Sequence, residues 1–108
     1  MDVLWTQDET RRTEALALAL KQLRVRRGLR SSEVARAMGV GLRTYQRFES
    51  GALGLDLERI FAFARAVQAD PWGIVFAADL GSESFALHCA DNHAASLLLT
   101  MLRRFDRR

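Results

Sequence analysis

The chain has 108 residues, 49% of them hydrophobic and 27% charged, with a single proline, which suits one domain with one modest core and excludes both a disordered chain and two separate cores. Aromatics make up 8%, and β-branched residues are few, so an all-β fold is excluded as well. The formal charge is only +3, but its placement is uneven: ten basic residues against Glu14 and Glu33 between Arg11 and Arg47, and four arginines against Asp106 from Arg103 to Arg108. Such asymmetry points to a polyanionic partner on one face.

A lone Cys89 excludes an internal disulfide and fits a reducing compartment. The opening "MDVLWTQDET" carries acids and no long apolar run, unlike a signal peptide, and no stretch approaches the roughly 18 apolar residues of a membrane span. A cytoplasmic, nucleoid-associated protein with no membrane partner is expected.

In chain order, Thr6 and Glu9 have capping-box spacing, so a long first helix is expected from there to about Arg27, stopped by Gly28. Leu16, Leu20 and Leu23 define its core face, while Leu18 and Val25 lie off that stripe. Ser31 or Arg30 opens a short second helix through Met38, with Val34, Ala35 and Met38 inward, and Gly39 ends it. The third helix spans about Gly41 to Glu49, with Tyr45 and Phe48 as its buried pair and Gly51 as its stop. Asp56 caps a fourth helix whose apolar face is Leu57, Ile60, Phe61, Ala64 and Val67.

"DPW" at Asp70 to Trp72 places a capping Asp before a Pro at the first helical position, which starts a fifth helix carrying Ile74, Val75 and Phe76. "DLGSES" reads as a linker, and "FALHCA" as either a short strand or an irregular extended segment. Asp91 or Asn92 caps a last helix through about Arg104. The expected architecture is all-α: residues 1–78 as a five-helix domain with an extended first helix, and residues 79–108 as a linker plus an additional C-terminal helix.

Two short helices joined by a tight glycine turn have the layout of a helix-turn-helix, whose second helix enters the major groove. On the third helix Leu42, Arg43, Gln46, Arg47 and Ser50 fall away from the Tyr45/Phe48 face. Arg can bond guanine O6 and N7 bidentately, and Gln can do the same to adenine.

With these residues in view, "LKQLRVRRGLRSSEVARAMGVGLRTYQRFESG" followed by "LDLERIFAFARAVQADPWGIVF" resembles the lambda-repressor-like, Xre-type helix-turn-helix family. The resemblance rests on the Leu23-Arg24 pair, "RGL" at Arg27, "EVA" at Glu33, "MGV" at Met38, Glu49 with Gly51, and the "ARAVQADPWGIVF" ending, over about residues 16 to 77. It implies a five-helix domain that binds double-stranded DNA, usually as a homodimer on a palindromic operator. Base-reading positions then fall on Gly41, Leu42, Arg43, Gln46 and Arg47, with Thr44 beside them. Ser31 and Ser32 take the phosphate-clamping position, and Arg24 with Glu49 resembles a partly buried ion pair of structural purpose. Ser31, Gly41 and Leu42 depart from the family's common Gln, Ser or Thr cap, and polar base reader, which bears on the operator sequence and not on the fold.

His88, Cys89, Asp91 and His93 are the one cluster suggestive of a metal, but one Cys with irregular spacing reads as packing and capping, so no metal or other cofactor is expected. Trp5 and Trp72 read as core or lid residues. No nucleophile, pocket or phosphate-loop signature points to an enzyme. Beyond the family match, Ala94, Leu98, Met101, Leu102 and Phe105 form an apolar stripe that Leu97 and Leu99 widen. That helix folds back onto Leu18 and Val25, pairs with its copy in a homodimer through Leu98, Met101, Leu102 and Phe105, or does both, with the first helices flanking a shared bundle. The expected function is a transcriptional regulator. The alternatives are an antitoxin with a toxin as protein partner, docked through the C-terminal helix, and a module that binds only proteins.

Overall fold

The computed structural model describes residues 2–106, with side chains from residue 8 onward; Arg107, Arg108 and the side chains of Trp5 and Thr6 lie outside the described residues. Among the described residues seven helices follow one another: α1 (Asp2–Arg26), α2 (Ser31–Met38), α3 (Leu42–Glu49), α4 (Leu57–Val67), α5 (Pro71–Leu80), α6 (Glu83–Cys89) and α7 (Ala94–Asp106). The described residues contain no strand, and none of their helices is long and apolar enough to cross a membrane.

α1 already runs from Asp2, so Thr6 lies inside the helix and not at its cap. Ala15, Leu16, Ala19, Leu20 and Leu23 are buried at spacings of one, three and four, the stripe a helix presents to one core. Gly28, at φ 70°, lets the chain leave the helix, and the Leu29 amide closes back onto the Arg24 carbonyl at 3.2 Å. This stripe shares one core with Val34 and Ala35 of α2, Tyr45 and Phe48 of α3, Ile60, Phe63, Ala64 and Val67 of α4, and Ile74, Ala77 and Ala78 of α5; α1 packs most closely on α5 and α6.

The buried face of α4 is rotated from the expected one. Phe63 is buried, while Leu57 is exposed and Phe61 half-buried. The reason lies in its neighbours: Phe48 takes Phe63 into the core with ring centroids 5.8 Å apart. Phe61 instead meets Trp72 edge-on at 5.4 Å, in an outer aromatic layer that continues through Phe76 to Phe85. Trp72 is therefore half-buried in that layer.

Both aspartate caps form. Asp56 accepts from the Arg59 amide at 3.2 Å and from its guanidinium at 2.6 Å, which holds its carboxyl below the usual carboxylate range. Asp70 accepts from the Trp72 amide at 3.0 Å. It is 1% exposed, and it also accepts from the backbone amide at 3.0 Å and the hydroxyl of Ser96. One buried carboxylate thus caps α5 and fastens the first turn of α7.

"FALHCA" is neither strand nor loop. Gly81 ends α5 in the left-handed region, Ser82 opens the next turn, and the segment becomes α6. Ala86 and Ala90, four apart, reach the same core as α1 and α5. Phe85 and Leu87 sit at the rim, half-buried, and the small alanines make the deep contact.

At the start of the last helix the Asn92 side chain accepts from the Ala94 amide at 2.9 Å, Asp91 is taken by Arg27, and His93, at φ 53°, stands directly before Ala94. α7 packs on α5 and leaves Leu18 and Val25 of α1 exposed at 43% and 58%. The folded-back arrangement is not adopted. Leu99 belongs to the inner face with buried Ala95 and with Arg103, whose guanidinium lies 6.0 Å from the Trp72 ring centre, so it does not widen the outer stripe.

Gly51 controls how closely α3 approaches α1. Its φ is 84°, and a Cβ there would stand 2.9 Å from the Thr13 methyl and 3.0 Å from the Thr13 carbonyl oxygen. Both the backbone conformation and the close approach oppose any side chain. Gly51→Ala should cost about 1–3 kcal/mol of stability, measured by urea unfolding; a midpoint within error of the parent would show that the contact relaxes freely.

Candidate nucleic-acid interface

The connection between α2 and α3 is three residues long. Gly39 takes φ 73°, its amide bonds the Arg36 carbonyl at 3.0 Å, and the Val40 amide bonds Ala35 at 3.0 Å. Gly41, extended at φ −70°, stands before Leu42 without a side-chain cap. At the start of α2, Arg30 holds the cap position, so Ser31 is the first helical residue. The Glu33 carboxylate accepts the Arg30 amide at 2.9 Å and its guanidinium at 3.3 Å; both bonds hold Glu33 below the usual carboxylate range.

On α3 the packing decides what faces outward. Tyr45 and Phe48 are 0% and 1% exposed, their ring centroids 6.1 Å apart. Arg43, Gln46 and Arg47, at spacings of three and four, share the opposite, exposed face with Ser50. Leu42 is 44% exposed at the helix start, Thr44 half-buried, and Gly41 exposed. Ser32 is exposed and Ser31 half-buried at the α2 N-terminus, where free backbone amides attract anions.

What fixes α3 in this pose is a charged node at its C-terminal end. Arg24 Nε donates to Glu49 Oε1 at 2.6 Å and Nη2 to Oε2 at 3.4 Å, while Nη1 donates to the Leu29 carbonyl at 2.9 Å. The Tyr45 hydroxyl donates to Glu49 Oε1 at 2.8 Å. One guanidinium therefore joins α1, the loop before α2 and the end of α3. The Glu49 bond raises the Arg24 guanidinium above its ordinary value against the opposing effect of burial. Burial, then the Glu49 bond, raises the Tyr45 hydroxyl well above the ordinary phenol value.

Two parts of this node were not read from the sequence: the Tyr45 hydroxyl and the Leu29 carbonyl. Tyr45 and Glu49 are four apart on one helix, a spacing that could have suggested the bond. The role of Arg27 had no sequence signal. It donates to the Val67 carbonyl at 2.8 Å and to Gln68 at 3.0 Å, and pairs with Asp91 at 2.7 Å, holding that carboxyl below its usual range. Arg24 and Arg27 are thus engaged inside the fold, so the basic run between Arg11 and Arg47 does not all lie on one face. Among the described residues no three His, Cys, Asp or Glu side chains gather where they could hold a metal: Cys89 is buried and Asp91 is taken by Arg27.

A family model for the helix-turn-helix domain matches residues 15–72, more than half of the chain. The match runs from the buried half of α1 through the start of α5. No curated protein and no solved structure matches the chain.

The node gives two expectations. The Arg24 and Glu49 side chains are 14% and 16% exposed, so Arg24→Ala strands a partly buried carboxylate and should cost about 3 kcal/mol, the lower end for breaking a buried pair. A thermal melt superimposable on the parent's would remove the node from its anchoring role. For Tyr45 the folded-state value is raised above the unfolded value of about 10, so the stability it contributes is fully present below that pH and is lost as pH rises beyond it. As the only tyrosine of the chain, Tyr45 can be followed by phenolate absorbance. Urea midpoints should hold up to about pH 10 and fall as pH rises above it, and Tyr45→Phe should flatten that fall; an unchanged slope in the variant would assign the loss to other groups.

Proposed function

The chain belongs to the helix-turn-helix domain family, and from that premise we propose that it is a sequence-specific DNA-binding transcriptional regulator of the Xre type, acting as a dimer on a palindromic operator. The observation that carries the reading is the exposed Arg43, Gln46 and Arg47 face of α3, held rigidly from behind by Tyr45, Phe48 and the Arg24–Glu49 node. A rigid helix with two arginines and a glutamine on one face has the donors that major-groove edges accept. Arg43 and Arg47 take guanine O6 and N7, Gln46 takes adenine, and Leu42 meets a thymine methyl. Gly41 leaves room for close approach, and Thr44 borders the contact.

Positioning falls to the α2 N-terminus, where the amides around Ser31 and Ser32 bind a phosphate and fix the register of α3 in the groove. Two copies related by a two-fold axis present two α3 helices to half-sites one helical turn, about 34 Å, apart. Phosphate contacts supply most of the affinity, which falls steeply with salt.

Each bidentate contact is worth about 1–3 kcal/mol of discrimination. Arg43→Ala or Arg47→Ala should weaken binding to an operator selected from random duplexes by about 5- to 150-fold, and weaken binding to a scrambled duplex much less, as read by fluorescence anisotropy. Equal losses on both duplexes would reduce these arginines to phosphate contacts. Absence of any selected sequence would overturn the regulator reading itself.

A further inference from the structure

α7 carries more apolar surface than its place in the fold uses. Its inner face, Ala95, Leu99 and Arg103, lies against α5, and the Asp70–Ser96 bonds fix its first turn. Beside that face runs a second apolar stripe, Ala94, Leu97, Leu98, Met101, Leu102 and Phe105, all exposed. Leu98 is 50% exposed, Leu102 55%, Met101 59%, Leu97 61% and Phe105 76%. Ser96, Thr100, Arg103, Arg104 and Asp106 supply the polar positions, and the apolar ones extend well beyond the face that meets α5. A helix with apolar residues on more than one face is expected to be covered on more than one side.

We propose that this stripe is covered by α7 of a second copy, antiparallel, across a two-fold axis, an inference that rests on the regulator reading for its purpose. The spacing supports a helical seam: Ala94, Leu98, Met101 and Phe105 alternate by four, three and four, the repeat that keeps one face toward a partner helix. The stripe complements itself in one antiparallel register. Leu98 then lies level with Met101 of the second copy, and Phe105 level with Ala94, the largest side chain against the smallest, with Leu97 and Leu102 closing the flanks. A two-fold interface requires such self-matching.

Charge sets the direction. The stripe contains no ionised side chain, so it suits an apolar partner and not an acidic one. Arg103 and Arg104 crowd the C-terminal end; a parallel pair would bring them together with their counterparts, whereas the antiparallel pair separates them and opposes the helix dipoles. Area is adequate too. The exposed parts of these side chains amount to on the order of 600 Å² per chain, which rim contacts extend toward the ~800 Å² per partner of a standard interface.

The test uses the full-length chain without DNA. Sedimentation velocity over a dilution series up to about 100 μM, because interfaces of this size range from micromolar to picomolar affinity, should give a dimer. Leu98→Glu with Met101→Glu should give a monomer of unchanged helical circular dichroism. Phe105→Arg, at the most exposed position, provides a second route to the monomer if the double variant loses helix. A monomeric parent, or variants that fold and remain dimeric, overturns the seam. For direction, in a Cys89→Ala background, Ala94→Cys mixed with Phe105→Cys should oxidise to the mixed disulfide, while Phe105→Cys alone should not cross-link. Efficient Phe105→Cys self-cross-linking overturns the antiparallel register. A monomer that still selects one DNA sequence removes the seam alone, and a dimer that selects none removes the regulator reading alone.

Discussion

The contact on which the helix-turn-helix half of the molecule depends is the guanidinium of Arg24. A helix of eight residues is too short to be stable by itself in water, and α3 exposes one whole face. Its pose must therefore come from tertiary anchoring. Tyr45 and Phe48 supply the apolar part, and Glu49, gripped by Arg24 at 2.6 Å, supplies the directional part. The same guanidinium takes the Leu29 carbonyl, so the loop that leads into α2 is fixed by the charge that fixes α3. Both helices of the motif are referenced to α1 through one side chain.

α1 is in turn held by elements far from the motif. Its last turn is tied by Arg27 to the C-terminal end of α4 and to the loop before α7, and Arg26 donates to the Leu87 carbonyl of α6 at 3.2 Å. Ala86 and Ala90 extend the core formed by α1 to α5, so the C-terminal segment shares that core and is not an appendage to it. Asp70 completes the connection. Its burial is tolerated because three hydrogen bonds satisfy it, and the cap that begins α5 therefore also sets where α7 begins and the direction it takes.

That arrangement separates two tasks. The motif face is polar, basic and open, while the α7 stripe is apolar and uncharged. A reader of two half-sites needs the distance between its recognition helices fixed. A surface fastened to the same core as α3 can fix it, where one on a flexible linker could not.

The sequence alone determined the features that local physics decides. Helical spacing identified Tyr45 and Phe48 as inward and left Arg43, Gln46 and Arg47 outward, and the glycines marked the stops after α1 and α2 because only they enter the left-handed region without strain. Asp56 and Asp70 announced their helices because a short acceptor before a helix has a specific donor to bind. Only the tertiary structure decided the rest. Phe63 displaced Leu57 and Phe61 from the core because Phe48 stands opposite it, a fact absent from the periodicity of α4. "FALHCA" became a helix because α1 and α5 offer a surface that two alanines fit. The basic run gave no sign that Arg27 turns inward, since a guanidinium's partners forty or more residues away leave no local trace. α7 took α5 and not α1 as its neighbour because a buried aspartate twenty-six residues earlier held its first turn.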